Sequence, residues 1–318
     1  MKGLWACAIA IVLLATSGLH SAGGRPAASA PGAPQAATFK SGVDLVSFAV
    51  TVTDKKGEFV TDLKEPDFEV YEDGVRQTLK YFSQGAAAPS PIGPLHLGVL
   101  FDISGSMDED MKMSRTAAIK FLKALDDADD MTLVDFDTEI RLARYVPADF
   151  PSLVERIRSR KADGFTALYD AVAVYLRSAS TLDGRKILVF YTDGGDNDSS
   201  ITFGDVLTLL KASDVTVYTI GFLQHAGSAT MELRSRLERM AETTGGQSFA
   251  PLSLKELDSV YEKVRTEIRA QYAMGYVSTN TRQDGTWRKV EIKVPNGGRV
   301  LKIRTRKGYF APYKAAAR

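Results

Sequence analysis

Cysteine is almost absent: Cys7 is the only one in 318 residues, and it lies inside a short apolar run near the start. Once that run is removed, disulfides, thiolate nucleophiles and cysteine metal sites are excluded together. Histidine is nearly as scarce, with three in the chain. Only His96 and His225 lie beyond the leader, too few for a zinc site without cysteine. Neither charge sign dominates: 40 basic and 39 acidic side chains leave a formal charge of +1. That balance gives no bulk pull toward nucleic acid or anionic lipid. Long apolar runs are missing as well, so a multi-span membrane protein is excluded. With 44% hydrophobic residues, 12 Pro and 26 Gly, wholesale disorder and collagen-like repeats are excluded too.

What is present begins with a leader. Met1 and Lys2 precede an apolar run at residues 4–14, followed by Ala15-Thr16-Ser17-Gly18 and Ser21-Ala22-Gly23. A basic start, a short apolar segment and a small-residue exit describe a secretory signal peptide over residues 1–22, too short for a stable anchor. His20 stands where a small residue is preferred if cutting follows Ala22, so an uncleaved signal anchor is the alternative. The expected location is secreted or periplasmic, with no transmembrane segment in the mature chain. Residues 23–40, rich in Ala, Gly and Pro, read as a flexible tether.

From residue 41 to 84 the pattern is sheet. Val46, Phe48, Val50 and Val52 alternate with small or polar residues, as do residues 68–71, and Asp73-Gly74 is a hairpin signal before a strand at 77–82. Residues 84–94 form a linker with three Ala, three Pro and two Gly. The middle, 95–271, alternates differently. Continuous apolar runs at 95–101, 131–136, 186–192 and 215–221 predict strands covered on both faces. Helical spacing predicts helices near 113–125, 150–158, 167–180, 203–212, 231–243 and 254–271. On the last of these, Leu257, Val260, Tyr261, Val264 and Ile268 should pack inward. This alternation predicts an α/β fold with a doubly wound, mostly parallel, Rossmann-like sheet. Residues 272–313 return to sheet, with three strands expected at 272–278, 287–294 and 300–306, separated by Gln283-Asp284-Gly285 and Asn296-Gly297-Gly298. Neither terminal segment can bury a good core alone. The α/β unit is therefore expected as an insertion between two parts of one small antiparallel β-domain, with separate appendages as the alternative.

In doubly wound sheets ligands bind at the carboxyl ends of the strands. The first α/β strand ends in Asp102-Ile103-Ser104-Gly105-Ser106, and a later one in Thr192-Asp193-Gly194. Between them, Asp163-Gly164-Phe165-Thr166 leads into a helix that Thr166 can cap while presenting a hydroxyl. Two carboxylates and three hydroxyls, without nitrogen or sulfur, suit a hard cation such as Mg²⁺ or Mn²⁺, with Ca²⁺ also open. Two carboxylates at most neutralise a divalent ion; if Asp193 acts through water, the first shell holds one carboxylate, and the ion stays electrophilic and favours a carboxylate from outside.

These residues resemble the metal-ion-dependent adhesion site of von Willebrand factor type A domains, and the flanking segments resemble a bacterial group of secreted proteins related to them. Those flanks are Val52-Thr53-Asp54, Asp67-Phe68 and Glu72-Asp73-Gly74-Val75 in front, and Arg306-Lys307-Gly308-Tyr309 behind. The resemblance implies one divalent ion with Asp102, Ser104 and Ser106 as near ligands, and Thr166 and Asp193 as direct or water-bridged ones. A partner protein's Asp or Glu would complete the shell. Phe165 departs from the family, where a small residue often precedes the threonine.

Other acids have plainer readings. Asp196 and Asp198 are expected as solvated loop acids, and Asp135 and Asp137 as turn residues or supports near the site. Enzymatic readings fit less well. A phosphoaspartyl hydrolase using Asp102 needs a second carboxylate two residues later, where Ser104 stands. A serine hydrolase lacks the Gly-x-Ser-x-Gly elbow. The expected function is therefore a non-enzymatic, metal-dependent protein-binding or adhesion module. A structural cell-envelope protein holding a purely structural ion is the alternative.

Overall fold

The apolar run that opens the middle of the chain forms a strand buried along its whole length, and the remaining elements are arranged around it. The computed structural model describes residues 45–84, 93–125, 128–295 and 300–313, all within one compact unit, Ser41–Arg318. The expected leader, the tether, most of the linker and the turn Asn296-Gly297-Gly298 lie outside the described residues.

Four strands come first: β1 (Leu45–Thr53), β2 (Glu69–Glu72), β3 (Val75–Gln77) and β4 (Leu79–Gln84). Alternation follows, with β5 (Leu95–Asp102), α1 (Met111–Ala124), β6 (Asp130–Phe136), β7 (Ile140–Tyr145), α2 (Phe150–Ser159) and α3 (Leu168–Ala179). It continues through β8 (Arg185–Thr192), α4 (Phe203–Ala212), β9 (Thr216–Gly221), α5 (Thr230–Thr243), β10 (Ser248–Phe249) and α6 (Leu254–Ala270). The chain then returns to sheet in β11 (Tyr272–Val277), β12 (Trp287–Lys293), β13 (Lys302–Arg304) and β14 (Gly308–Phe310).

The central sheet has the order β10-β9-β8-β5-β6-β7 and is parallel except for β7. Its two faces are covered by different helices. Phe121 of α1, Ile157 of α2 and Leu257, Val264 and Ile268 of α6 pack with Leu97 and Val99 on one side. Val172 of α3, Val206 of α4 and Met240 of α5 pack with Leu100 and Leu188 on the other. This is the doubly wound α/β architecture that the alternation of patterns predicts. Close fit is local as well: a Cβ at Gly98 of β5 would stand 2.2 Å from the Tyr175 ring of α3, so α3 approaches the sheet where no side chain intervenes. The sequence pattern predicts no strand at β7. Its residues Ile-Arg-Leu-Ala-Arg-Tyr are all at least partly exposed, as befits an edge strand with a single neighbour.

The terminal segments interleave in two antiparallel sheets, β13-β1-β11-β4 and β14-β12-β2-β3. Phe48, Val50, Val70, Tyr272, Tyr276, Val290 and Ile292 share one core drawn from both sheets. Two expectations are corrected here. Residues 77–82 do not form one strand: β3 pairs with β2, whereas β4 pairs with β11 in the other sheet. The three expected C-terminal strands do not pair with one another either. β11 and β13 flank β1, and β12 lies between β14 and β2. Pairing among themselves would leave the apolar stripe of β1 and β2 uncovered; interleaving buries it. The hairpin signal holds, since Asp73 and Gly74 both adopt positive φ (46° and 85°), as a tight turn between β2 and β3 requires.

A buried polar knot ties these sheets to the α/β unit. Glu267 of α6, 2% exposed, accepts hydrogen bonds from Thr51 of β1 (3.1 Å) and Tyr218 of β9 (2.8 Å) and pairs with Arg304 of β13. Removing the carboxylate takes away the acceptor of the buried Tyr218 hydroxyl, which keeps only the bond donated by Gln271 (3.2 Å), and leaves Arg304 without its ion pair. Arg304 is a third exposed and can still reach water. Glu267→Ala is therefore expected to cost about 3 kcal/mol, the lower end for breaking a buried ion pair, measured by urea denaturation.

Candidate functional site

β5 and β8 are neighbours, but the chain leaves β5 toward β6 on one side and β8 toward β9 on the other. The topological switch point lies between them at their carboxyl ends, where a crevice forms in such sheets. Asp102 is the last residue of β5, and Asp193 directly follows β8.

The Asp102 carboxylate is fully buried. One oxygen accepts from the Ser104 amide (2.9 Å) and the Ser104 hydroxyl (2.6 Å), and the other from the Thr192 hydroxyl (2.5 Å). The chain of oxygens continues from Ser104 Oγ to Ser106 Oγ, 3.1 Å away. Among the described residues no basic side chain pairs with Asp102. Burial, and next the nearby charge of Asp193, push its pKa up to about 7; the hydrogen bonds from Ser104 and Thr192 offset this only in part.

Thr166 reaches the same place by its backbone. The Gly105 amide donates to the Gly164 carbonyl (3.0 Å), and the Asp163 amide to the Ile103 carbonyl (2.8 Å), so the Asp102–Ser106 loop is sewn to the loop carrying Thr166. On the other side the Thr166 amide donates to the Asn197 side chain (2.8 Å), and its carbonyl accepts from the amides of Asn197 (3.0 Å) and Asp198 (3.1 Å). Thr166 is thus clamped between the loop that bears Ser104 and Ser106 and the loop that bears Asp193. Its side chain is buried and makes no hydrogen bond among the described residues.

The expected capping role of Thr166 is corrected. The first-turn amides of α3 are satisfied from the loop after β8: Tyr169 donates to Asp196 (3.0 Å) and Ser199 (3.0 Å), and Asp170 to Ser199 (3.1 Å). Capping from a distant loop leaves the Thr166 hydroxyl unspent. It also corrects Asp196, which is a partly buried helix cap; Asp198 is exposed, as expected. Asp135 is corrected too. It is fully buried and pairs with Arg156 (2.5 Å) and Arg160 (2.8 Å), a structural pivot between β6 and α2. Asp137 pairs with Arg141 (3.2 Å).

His96 bonds Asp130 (2.7 Å) and the Asp183 carbonyl (2.8 Å) at the amino end of β5, remote from this edge. His225 bridges Asp110 (3.0 Å) and Glu109 (2.9 Å), and its pKa is raised mainly by the Asp110 hydrogen bond. Thr192, Asn197 and Ser199 are the supporting residues that motif reading alone does not assign. Their signal is compositional, a short polar run directly after a buried strand.

Among the described residues no three His, Cys, Asp or Glu side chains cluster as a cage, so an ion held here would depend on serine and threonine hydroxyls. The donor chemistry fits a hard cation: Asp102, Ser104, Ser106, Thr166 and Asp193 could hold one, and its charge would relieve two mutually repelling carboxylates. The two best-formed recesses lie elsewhere, one of about 200 Å³ beside Ser278, Arg288 and Tyr309 and one beside Lys186 and Asp214.

The raised Asp102 pKa fixes the sign of a pH effect. Between about pH 4 and 7 the native chain keeps a proton that the unfolded chain has lost, so stability falls as pH rises. In chelator, wild type should lose up to about 4 kcal/mol across this window, and Asp102→Asn should flatten that slope in urea titrations.

Comparison with known proteins places these residues in a family. The family model for the von Willebrand factor type A domain matches residues 96–263. No curated protein matches the chain. Among solved structures it is similar to a von Willebrand factor type A protein from Catenulispora acidiphila, at 14% identity over 86% of this chain and 75% of that one, with a TM-score of 0.46. It is similar also to the vWF domain of the type V pili tip protein Mfa5 from Porphyromonas gingivalis, at 12% identity over 55% and 96%, TM-score 0.45. A third is the D319A mutant of the PilB minor pilin from Streptococcus sanguinis, at 14% identity over 56% of this chain, TM-score 0.45; the match spans 62% of that pilin, less than two thirds of its length. With the family match covering more than half of its length, the chain belongs to the von Willebrand factor type A domain family.

Proposed function

We propose that this chain is a protein-binding module in which Asp102, Ser104, Ser106, Thr166 and Asp193 hold a divalent cation that takes a carboxylate from a partner. The observation that carries this reading is the buried Asp102 carboxylate, set against Asp193 with hydroxyls around it and, among the described residues, no basic side chain paired to it. Family membership supports the same reading. A bound Mg²⁺ or Mn²⁺, or Ca²⁺, would supply an electrophilic position that prefers an anionic oxygen. The chain's own part is to fix the donors: Thr192 and Ser104 orient Asp102, and Asn197 holds Thr166 between its neighbours.

Catalysis has no comparable support. Ser104 occupies the place where a phosphoaspartyl mechanism needs a second carboxylate, and Lys186 is engaged with Asp214 (2.6 Å) at the opposite edge. His225 is held by Asp110 and Glu109 rather than aimed at Ser104 or Ser106. The signal peptide expected at residues 1–22 supports a secreted or periplasmic location. Among the described residues no helix is long and apolar enough to cross a membrane.

Calorimetric titration tests the reading. Wild type is expected to bind one Mg²⁺ per chain, Asp102→Ala none, and Asp193→Asn at least tenfold more weakly with cooperative thermal unfolding retained. With Mg²⁺ present, N-acetyl-Gly-Asp-Gly-amide should bind and its Asn analogue should not, and EDTA should abolish binding. Ion binding without any preference for the carboxylate peptide would mean a purely structural ion. No ion binding by wild type would refute the reading altogether.

A further inference from the structure

The three most exposed large apolar side chains described in the α/β unit all sit at the edge that carries the candidate site. Phe165 (61% exposed) directly precedes Thr166, Met231 (84%) opens α5 after β9, and Leu252 (65%) lies between β10 and α6. Phe165 cannot turn inward. Its amide donates to Thr138 Oγ1 (2.9 Å), the next residue is clamped by Asn197, and Gly164 before it has φ of +74° with Thr138 packed where a Cβ would be. The ring is therefore displayed in one place by a loop that cannot rearrange cheaply. Water gains nothing from such a ring, whereas a partner that covers it gains apolar contact beside the ion position.

Charge at the same edge gives a second, independent constraint. Each of the three loops that bear the candidate ligands also carries one exposed acid with no ion pair among the described residues. These are Asp108 after Ser106, Asp163 before Thr166, and Asp198 after Asp193. Lys161 offsets part of that charge. A bound cation balances Asp102 and Asp193 but leaves these outer acids, so a partner whose flanks are also acidic meets repulsion.

We infer that the partner segment is a composite one: a single acidic side chain for the ion, apolar neighbours that cover Phe165, and basic residues further out that face the acidic rim. The inference rests on the metal-dependent reading above and adds the selectivity around it. Acidic residues in an acidic or glycine-rich context would be discriminated against, although each offers the same carboxylate.

Four capped pentapeptides separate the contributions in Mg²⁺: Lys-Leu-Asp-Leu-Lys, Ser-Leu-Asp-Leu-Ser, Lys-Gly-Asp-Gly-Lys and Ser-Gly-Asp-Gly-Ser, each labelled and titrated by fluorescence anisotropy. The first should bind at least tenfold more tightly than the last, with the two singly changed peptides between them. Phe165→Ser, a change at an exposed position, should erase the advantage of Leu over Gly while keeping that of Lys over Ser. The Lys advantage should shrink as salt rises. Equal affinity for all four peptides would overturn this inference and leave the metal reading standing. No Mg²⁺-dependent binding of any peptide would overturn both. Concentration-dependent dimerisation that Phe165→Ser abolishes would show a second copy covering the ring, and would overturn the inference as well.

Discussion

A carboxylate buried without a basic partner is costly, and among the described residues the loops around Asp102 hold such a carboxylate. β5 is covered on both faces, so its last residue is carried out of water by the strand itself. Three hydrogen bonds, two from Ser104 and one from Thr192, meet the carboxylate, yet burial and Asp193 still hold its pKa near neutrality. The proposed cation would relieve that state. The functional reading follows from this imbalance together with the hydroxyls that share the space.

The imbalance persists because the loops cannot relax apart. Gly105 lets the Ser104–Ser106 loop lie against Gly164, and Asn197 holds both the amide and the carbonyl of Thr166. Asp196 and Ser199 then cap α3, so one loop after β8 both carries Asp193 and fixes the position of Thr166. Coupling also runs away from the site. Glu267 on α6 is bonded to β1, β9 and β13 together, which joins the antiparallel sheets to the α/β unit through a buried polar contact rather than an apolar one alone. Such a contact is specific in geometry, because its three partners converge on one carboxylate oxygen.

The legible part of the chain is the part governed by burial. Runs such as 95–101 and 186–192 are continuous because both of their faces are covered, and Asp102 and Asp193 stand out as the first charges after them. The six long helices follow the 3.6-residue spacing of side chains such as Leu257, Val264 and Ile268, and their ends depart from expectation by a few residues at most. What was not legible depends on partners distant in sequence. β7 is an edge strand with no buried stripe, and the division of 75–84 into β3 and β4 is decided by which sheet each half joins. Thr166 reads locally as a helix cap, but the cap comes from a loop some thirty residues later. Asp135 looks like a turn residue until the arginines of and just beyond α2 fold over it. In each case a local pattern is overruled by a contact that only the tertiary fold creates.

The central claim is that side-chain oxygens from three loops meet around one cation. Anomalous diffraction from crystals grown with Mn²⁺ tests this most directly, since the manganese signal locates the ion independently of the protein density. The account predicts a single strong peak at the carboxyl edge, within coordinating reach of Asp102, Ser104 and Ser106, and its loss in crystals of Asp102→Ala. A well-ordered wild-type crystal with no peak there, or with manganese only at unrelated surface carboxylates, would contradict it.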